Sequence, residues 1–76
     1  MPRYFFDTDD GDLGLVDHEG DVLEKDASAR AVALYKLCDM LGEHIHARGP
    51  QTFTAAVRNE KGTLVFAAAV ALTTSA

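Results

Sequence analysis

The apolar positions of this chain switch from an extended to a helical period and back. Near the start they fall in two short extended runs, Arg3–Asp7 and Leu13–Val16, split by Asp10-Gly11. A dipeptide of that kind supplies the positive φ that hairpin turns require. From Ala27 to Ala47 the apolar residues recur at helical spacing. Ala27, Ala31, Leu34, Cys38, Leu41 and Ile45 fall on one stripe, with Leu37 beside it. Beyond Gly49-Pro50 the period returns to two. Phe53, Ala55 and Val57 alternate with Thr54 and Ala56. Along 64–72, Leu64, Phe66, Val70 and Leu72 share one face, and Val65, Ala67, Ala69 and Ala71 share the other.

The signals between these elements fit the same reading. Asp17-His18-Glu19-Gly20 and Asn59-Glu60-Lys61-Gly62 each place Asp or Asn first and Gly fourth, as a type I turn with a glycine bulge prefers. The first leads into a short stub, Asp21–Leu23, and the second joins the last two strands. Asp26 or Ser28 is positioned to cap the helix by accepting a bond from an orphan N–H, and Gly49-Pro50 to end it. Gly42 sits inside the helix, which a close strand crossing or simple tolerance explains. The expectation is a single α+β domain over residues 1–76. Its order is β-β-α-β-β with a possible extra strand before the helix, and one helix covers one face of a small antiparallel or mixed sheet. Two strand orders satisfy the pattern. In one, a grasp-like sheet, strands one and four are parallel neighbours at the centre; in the other, strand three lies beside strand one.

Charge alters the functional picture more than the fold. Residues 1–26 hold nine acids against Arg3 and Lys25, near -7, while 27–76 hold three acids against five bases, near +2. The net -5 disfavours nucleic acid, whose binders carry a basic excess. The single cysteine, Cys38, forbids an internal disulfide and a cysteine-built zinc cluster, and points to a reducing cytoplasm. The start of the chain does not read as a signal peptide. The longest apolar run, nine residues from Leu64 to Leu72, falls well short of the about 20 that a membrane helix needs. A soluble cytoplasmic protein is expected, with no membrane and no nucleic-acid partner.

Each candidate for chemistry meets a geometric objection. Read as a calcium loop from Asp7, the string Asp7-Thr8-Asp9-Asp10-Gly11-Asp12 has Asp12 where glycine belongs and His18 where a bidentate glutamate belongs. His44 and His46, two apart on a helix, point to opposite sides rather than toward one metal. Asp39 and Glu43 share a face, with Lys36 close by, as an exposed charged strip does. Cys38, between Leu34 and Leu41, is expected buried and inert. Ser28 reads as helix-start chemistry and Ser75 as tail. No glycine-rich phosphate loop is present in the sequence. The expectation is therefore no catalytic, cofactor-binding or metal site, no cofactor and no enzyme.

The sheet offers an interaction surface instead. A single helix covers one face, yet both faces of 64–72 are apolar. Phe5, Val65, Ala67, Ala69 and Ala71 then form an uncovered face of a kind that marks interfaces. A homodimer through that face is expected. The helix is the rival surface, because Val32 and Met40 lie away from the stripe named above.

Several of these residues carry a resemblance. The opening Met1-Pro2-Arg3-Tyr4-Phe5-Phe6-Asp7, then Asp10-Gly11, then Asp17-x-x-Gly20 before an alanine-rich helix, and the closing Val57-Arg58-Asn59-Glu60-Lys61-Gly62 hairpin resemble a family of small proteins common in rhizobia and related alphaproteobacteria, a domain of unknown function. The resemblance implies a compact α+β unit and brings no catalytic residues. A looser likeness, to antitoxins of the HicB type, rests on a hairpin, an aspartate–glycine turn and an alanine-rich helix. It implies a partner that is a small ribonuclease toxin. The leading expectation is a non-enzymatic protein-interaction or structural domain acting as a homodimer. The alternative is an antitoxin-like or regulatory domain that binds a basic protein through the acidic 7–26 segment.

Overall fold

In the computed structural model, which describes residues 1–46 and 49–75, one helix crosses one face of an antiparallel sheet. The elements are β1 (Arg3–Asp9), β2 (Gly14–Leu15), β3 (Asp21–Val22), α1 (Asp26–Glu43), β4 (Gln51–Arg58) and β5 (Leu64–Leu72). The strands run in the order β2-β1-β4-β5, with β3 pairing the far end of β1. β1 lies antiparallel to β4, Phe6 opposite Val57 and Thr8 opposite Ala55. The grasp-like order is thus replaced by its alternative, the third long extended segment lying beside the first. Both orders satisfy the same alternation, so hydrophobic pattern alone does not separate them.

Alternation fixes which side chains meet the helix. Tyr4 and Phe6 from β1 and Phe53, Ala55 and Val57 from β4 are buried, and Ala29, Ala33 and Leu37 of α1 close over them. Large and small are matched across this layer. Three rings come from the sheet, so the helix supplies alanine at its closest approach. Phe53, Leu37 and Val57 are the largest fully buried side chains, each worth about 1.5–3 kcal/mol of transfer free energy. From β5, Phe66, Ala68, Val70 and Leu72 pack at the margin of this core.

Helix phase departs from expectation. The stripe of Ala27, Ala31, Leu34, Cys38 and Ile45 is exposed, and only Leu41 of that set is half-buried. The core takes Ala29, Ala33 and Leu37 instead. Cys38 is an exposed free thiol, not a buried one. Helical wheel positions 29, 33, 37 and 40 form a second apolar stripe, and the aromatic-rich sheet selects that one because alanines let the backbones approach. Capping also differs. Lys25 is the N-cap residue with no side-chain bond, and Asp26 is the first helical residue, its carboxylate turned to the Tyr4 hydroxyl at 2.5 Å. The helix stops at Glu43, with the His44 N–H bonded to the Leu41 carbonyl, before Gly49-Pro50 is reached. The expected last helical residue, Ala47, lies outside the described residues.

The turn glycines behave as their spacing predicts. Gly62 closes the β4–β5 turn at φ +81, its N–H on the Asn59 carbonyl at 3.0 Å, while the Asn59 side-chain oxygen accepts from Lys61 and Thr63. The strand after this turn carries a bulge. Arg58 faces Leu64 and Val57 faces Phe66, so Val65 is the extra residue.

Candidate functional site

The two edges of the sheet are built from opposite chemistry. At the β1 edge, β2 pairs only Thr8 and Asp9, and β3 pairs only Arg3 and Tyr4. The gap between them is bridged by side chains. The Asp17 carboxylate accepts the Phe6 N–H at 3.0 Å, standing where a neighbouring strand's carbonyl would be. Its other oxygen accepts from Glu19 and Gly20. The Asp17 N–H in turn donates to Asp7 Oδ1 at 3.0 Å.

Asp7 is held from the other side by Arg58. The guanidinium donates from Nε to Oδ2 at 2.6 Å and from Nη2 to Oδ1 at 3.0 Å, and also reaches the Asp17 carbonyl at 2.9 Å. It lies over the Phe5 ring, 5.2 Å from the centroid. Register accounts for the meeting, because Phe5 opposes Arg58 and Asp7 opposes Ala56 on the face away from the helix. The Arg58 guanidinium holds the Asp7 carboxyl below its ordinary range, against the opposing effect of burial. At Asp17 burial is the largest influence and pushes upward, but the N–H groups of Phe6, Gly20 and Glu19 together outweigh it and the net displacement is downward.

The tip of the β1–β2 loop follows the same rule. Asp9 accepts the Gly11 N–H, and Asp10 accepts those of Asp12 and Leu13. These backbone bonds lower the Asp10 carboxyl. Gln51 donates to the Asp10 carbonyl at 2.6 Å, fastening the loop to β4. His44 sits beneath it, with Nδ1 2.8 Å from the Met40 carbonyl, Nε2 3.4 Å from Asp10 Oδ2, and its ring tilted against Phe53. His18 and His46 are exposed in other parts of the molecule. Gly20 completes the edge. It has φ +71, and a Cβ there would stand 2.6 Å from the Tyr4 carbonyl oxygen.

The β5 edge has none of this. Beyond its pairing with β4, no strand adjoins Leu64–Leu72 among the described residues, and the strand contains no charged residue and no proline. Above it runs the uncovered flank of α1. Ala31, Leu34, Tyr35 and Cys38 line one shallow depression. Cys38, Leu41, Gly42 and Ile45 line the next, together with Leu72 and Thr74. Leu34 is 41%, Tyr35 72% and Ile45 74% exposed. The helix is thus lopsided. Its β1 side carries Lys36, whose ammonium lies over the Phe6 ring, with Asp39 and Glu43 nearby on the same side of the helical wheel. Its β5 side is apolar apart from Arg30, whose guanidinium lies over the Phe66 ring.

The face opposite the helix holds most of the residues expected there. Ala67, Ala69 and Ala71 are exposed, and Phe5 is half-buried under Arg58. Val65 packs against the core, because the bulge takes it out of the alternation and leaves Leu64, 59% exposed, opposite Arg58. The helix was expected as the rival surface through Val32 and Met40. These two are half-buried against the core, and the exposed flank is that of Leu34, Tyr35 and Ile45. The signal for it was present in an apolar arc wider than one sheet face can cover.

A family model described as Domain of unknown function (DUF6894) matches residues 3–71. No curated protein and no solved structure matches the chain. The residues that open the family resemblance, Tyr4, Phe6, Asp7, Asp17 and Gly20, are those that build the core and cover the β1 edge.

Proposed function

The chain belongs to this family of domains of unknown function, and we propose that it is a small non-enzymatic protein-interaction domain acting as a homodimer. One observation carries the reading: the apolar flank of α1, with Leu34, Tyr35 and Ile45 uncovered, adjoins a strand without charge. Exposed apolar surface of this continuity marks a contact site. The groups that chemistry would draw on are engaged elsewhere. Asp7, Asp10 and Asp17 hold backbone N–H groups, and His44 holds the helix end. An exposed thiol at Cys38 suits a reducing cytoplasm, and the Met1–Asp7 opening supports an alphaproteobacterial setting. Among the described residues no helix is long and apolar enough to cross a membrane.

The alternative, a basic protein bound by the acidic 7–26 segment, has fewer groups to use than charge counting suggests, since Asp7, Asp9, Asp10 and Asp17 accept bonds from the chain itself. Sedimentation equilibrium from about 1 to about 100 µM tests the leading reading across the affinity range of ordinary dimers. The expected species has twice the 8.2 kDa chain mass. A particle of one chain mass throughout overturns it.

A further inference from the structure

We infer that two copies of this chain join edge to edge through β5, antiparallel about a two-fold axis near Ala68, so that their sheets become continuous and their helices pack side by side. The inference rests on the homodimer reading and specifies its surface. Four features lead to it.

The first is the edge itself. β5 presents a nine-residue strand without lysine or proline. Among the described residues its outer row of backbone groups has no neighbouring strand, whereas edges are normally blunted by lysine, proline or a covering segment. Leu64–Leu72 is apolar from end to end, so an identical strand meets no like charge. Antiparallel pairing about a dyad is self-complementary and closes on itself. The enlarged sheet then terminates at two β1 edges, both already covered by β2, β3 and Asp17. No open edge remains for further growth.

The second is the position of the helix. α1 packs on β4 and, less closely, on β5. Strands lie about 4.8 Å apart. A dyad half a spacing beyond β5 therefore sets the flanks of the two helices facing one another, with their axes between about 10 and about 14 Å apart, so that side chains from both fill the space between. The flank each helix would present is apolar except for Arg30. Arg30 lies over Phe66, and Cys38, Leu41 and Ile45 lie beside Leu72. The middle of β5 thus falls beneath the turn that carries Leu34, and the two Leu34 side chains would meet near the axis.

The third is area. Leu34, Tyr35, Ile45 and Leu64 are 41–74% exposed. With Cys38, Ala31 and the strand edge they offer on the order of 600 Å² per copy, near the about 800 Å² of a standard interface. The fourth is Gly42. A glycine inside a helix weakens it relative to alanine, and nothing lies within 4 Å of where its Cβ would stand. No contact inside the chain calls for it. It keeps the groove beside Leu72 and Thr74 shallow enough for another backbone to enter.

The test compares three variants of the full chain by sedimentation, with circular dichroism to verify folding. Leu34→Glu sets two carboxylates across the axis, and Cys38→Glu charges the same flank at an exposed position. Thr54→Lys charges the centre of the opposite sheet face and leaves the β5 edge untouched. Leu34→Glu and Cys38→Glu are each expected to fold and to weaken self-association at least about 100-fold, while Thr54→Lys stays dimeric. Dissociation by Thr54→Lys, alone or with the others, assigns the contact to the open face and overturns the inference while the homodimer reading survives. Dimers that persist in both helix-flank variants overturn it likewise. A monomeric parent protein overturns both readings.

Discussion

The two sides of one small sheet, β1 with its short partners and β5, meet solvent in opposite ways. β1 is flanked by aspartates whose carboxylates take backbone N–H groups one at a time, and its exposed edge is closed within the chain. β5 has no polar side chain to do this, and only the apolar side of the helix stands over it. In the charged segment Asp7, Asp9, Asp10 and Asp17 accept bonds from the chain itself. The alanine-rich strand, whose two apolar faces read as an interaction surface, leaves one edge without a neighbouring strand among the described residues. Charge in a sequence reports where ions could be held, but the chain's own N–H groups compete for the same oxygens, and here they are closer.

The largest way to break this contrast is to remove what supports both edges. Phe53→Ala takes away the ring at the centre of the core and should cost about 3–5 kcal/mol, enough to unfold much of a 76-residue domain, as a urea midpoint would show. A selective break comes next. Asp17→Ala leaves the Phe6, Glu19 and Gly20 N–H groups without their acceptor and should cost about 1–3 kcal/mol, toward the lower figure because the site is half-solvated. Hydrogen exchange should quicken at Phe6 and Gly20 and stay unchanged along β4–β5. Equal quickening along β5 would mean that the two edges are one cooperative unit.

Acid should separate the edges in the same way. Asp7, Asp10 and Asp17 have folded-state values lowered from the ordinary one. Their contribution is therefore complete above the unfolded value of about 3.9 and is lost as pH falls through the lower folded values. Melting temperature should be level from neutrality to about pH 5 and fall below about pH 4, with the β1 edge exchanging first. A loss that begins near pH 6 would point to histidine instead. The smallest effect belongs to the β5 side. Cys38→Ser should change monomer stability by no more than about 0.5 kcal/mol, as exposed substitutions do. A thiol reagent should label native Cys38 readily in dilute protein and more slowly as concentration rises, if the helix flank is the contact.

Much of the architecture was legible because its signals are local. Asp10-Gly11, Asp17-x-x-Gly20 and Asn59-x-x-Gly62 each fix a turn through one side-chain oxygen and one glycine, and the structure uses all three as turns. The helix was legible as an element but not in rotation. Residues 27–45 hold apolar side chains around well over half of the helical circumference, and the bulkier stripe, with Leu34, Leu41 and Ile45, reads as the core. The choice is made by Tyr4, Phe6 and Phe53, whose rings leave room only for Ala29 and Ala33, and that is a long-range fact. The Asp7–Arg58 pair spans 51 positions and depends on register, so no spacing rule reaches it. The bulge at Val65 was invisible for the same reason, since the extra residue shifts the phase of the alternation and carries Leu64 from the expected face of Phe66 to that of Arg58, with no local signal in the strand to mark it.

The hydrogen bond from Tyr4 to Asp26 has an optical consequence. The chain has two tyrosines and no tryptophan. One phenol is buried in the core with its hydroxyl donating to the Asp26 carboxylate, which raises its ionisation above the ordinary value. The other, Tyr35, stands exposed on the helix flank. Ultraviolet absorption and emission therefore come from two chromophores in contrasting surroundings. One senses whether the first strand is docked under the helix, and the other senses what approaches the helix from outside, so the protein carries separate native dyes for folding and for company.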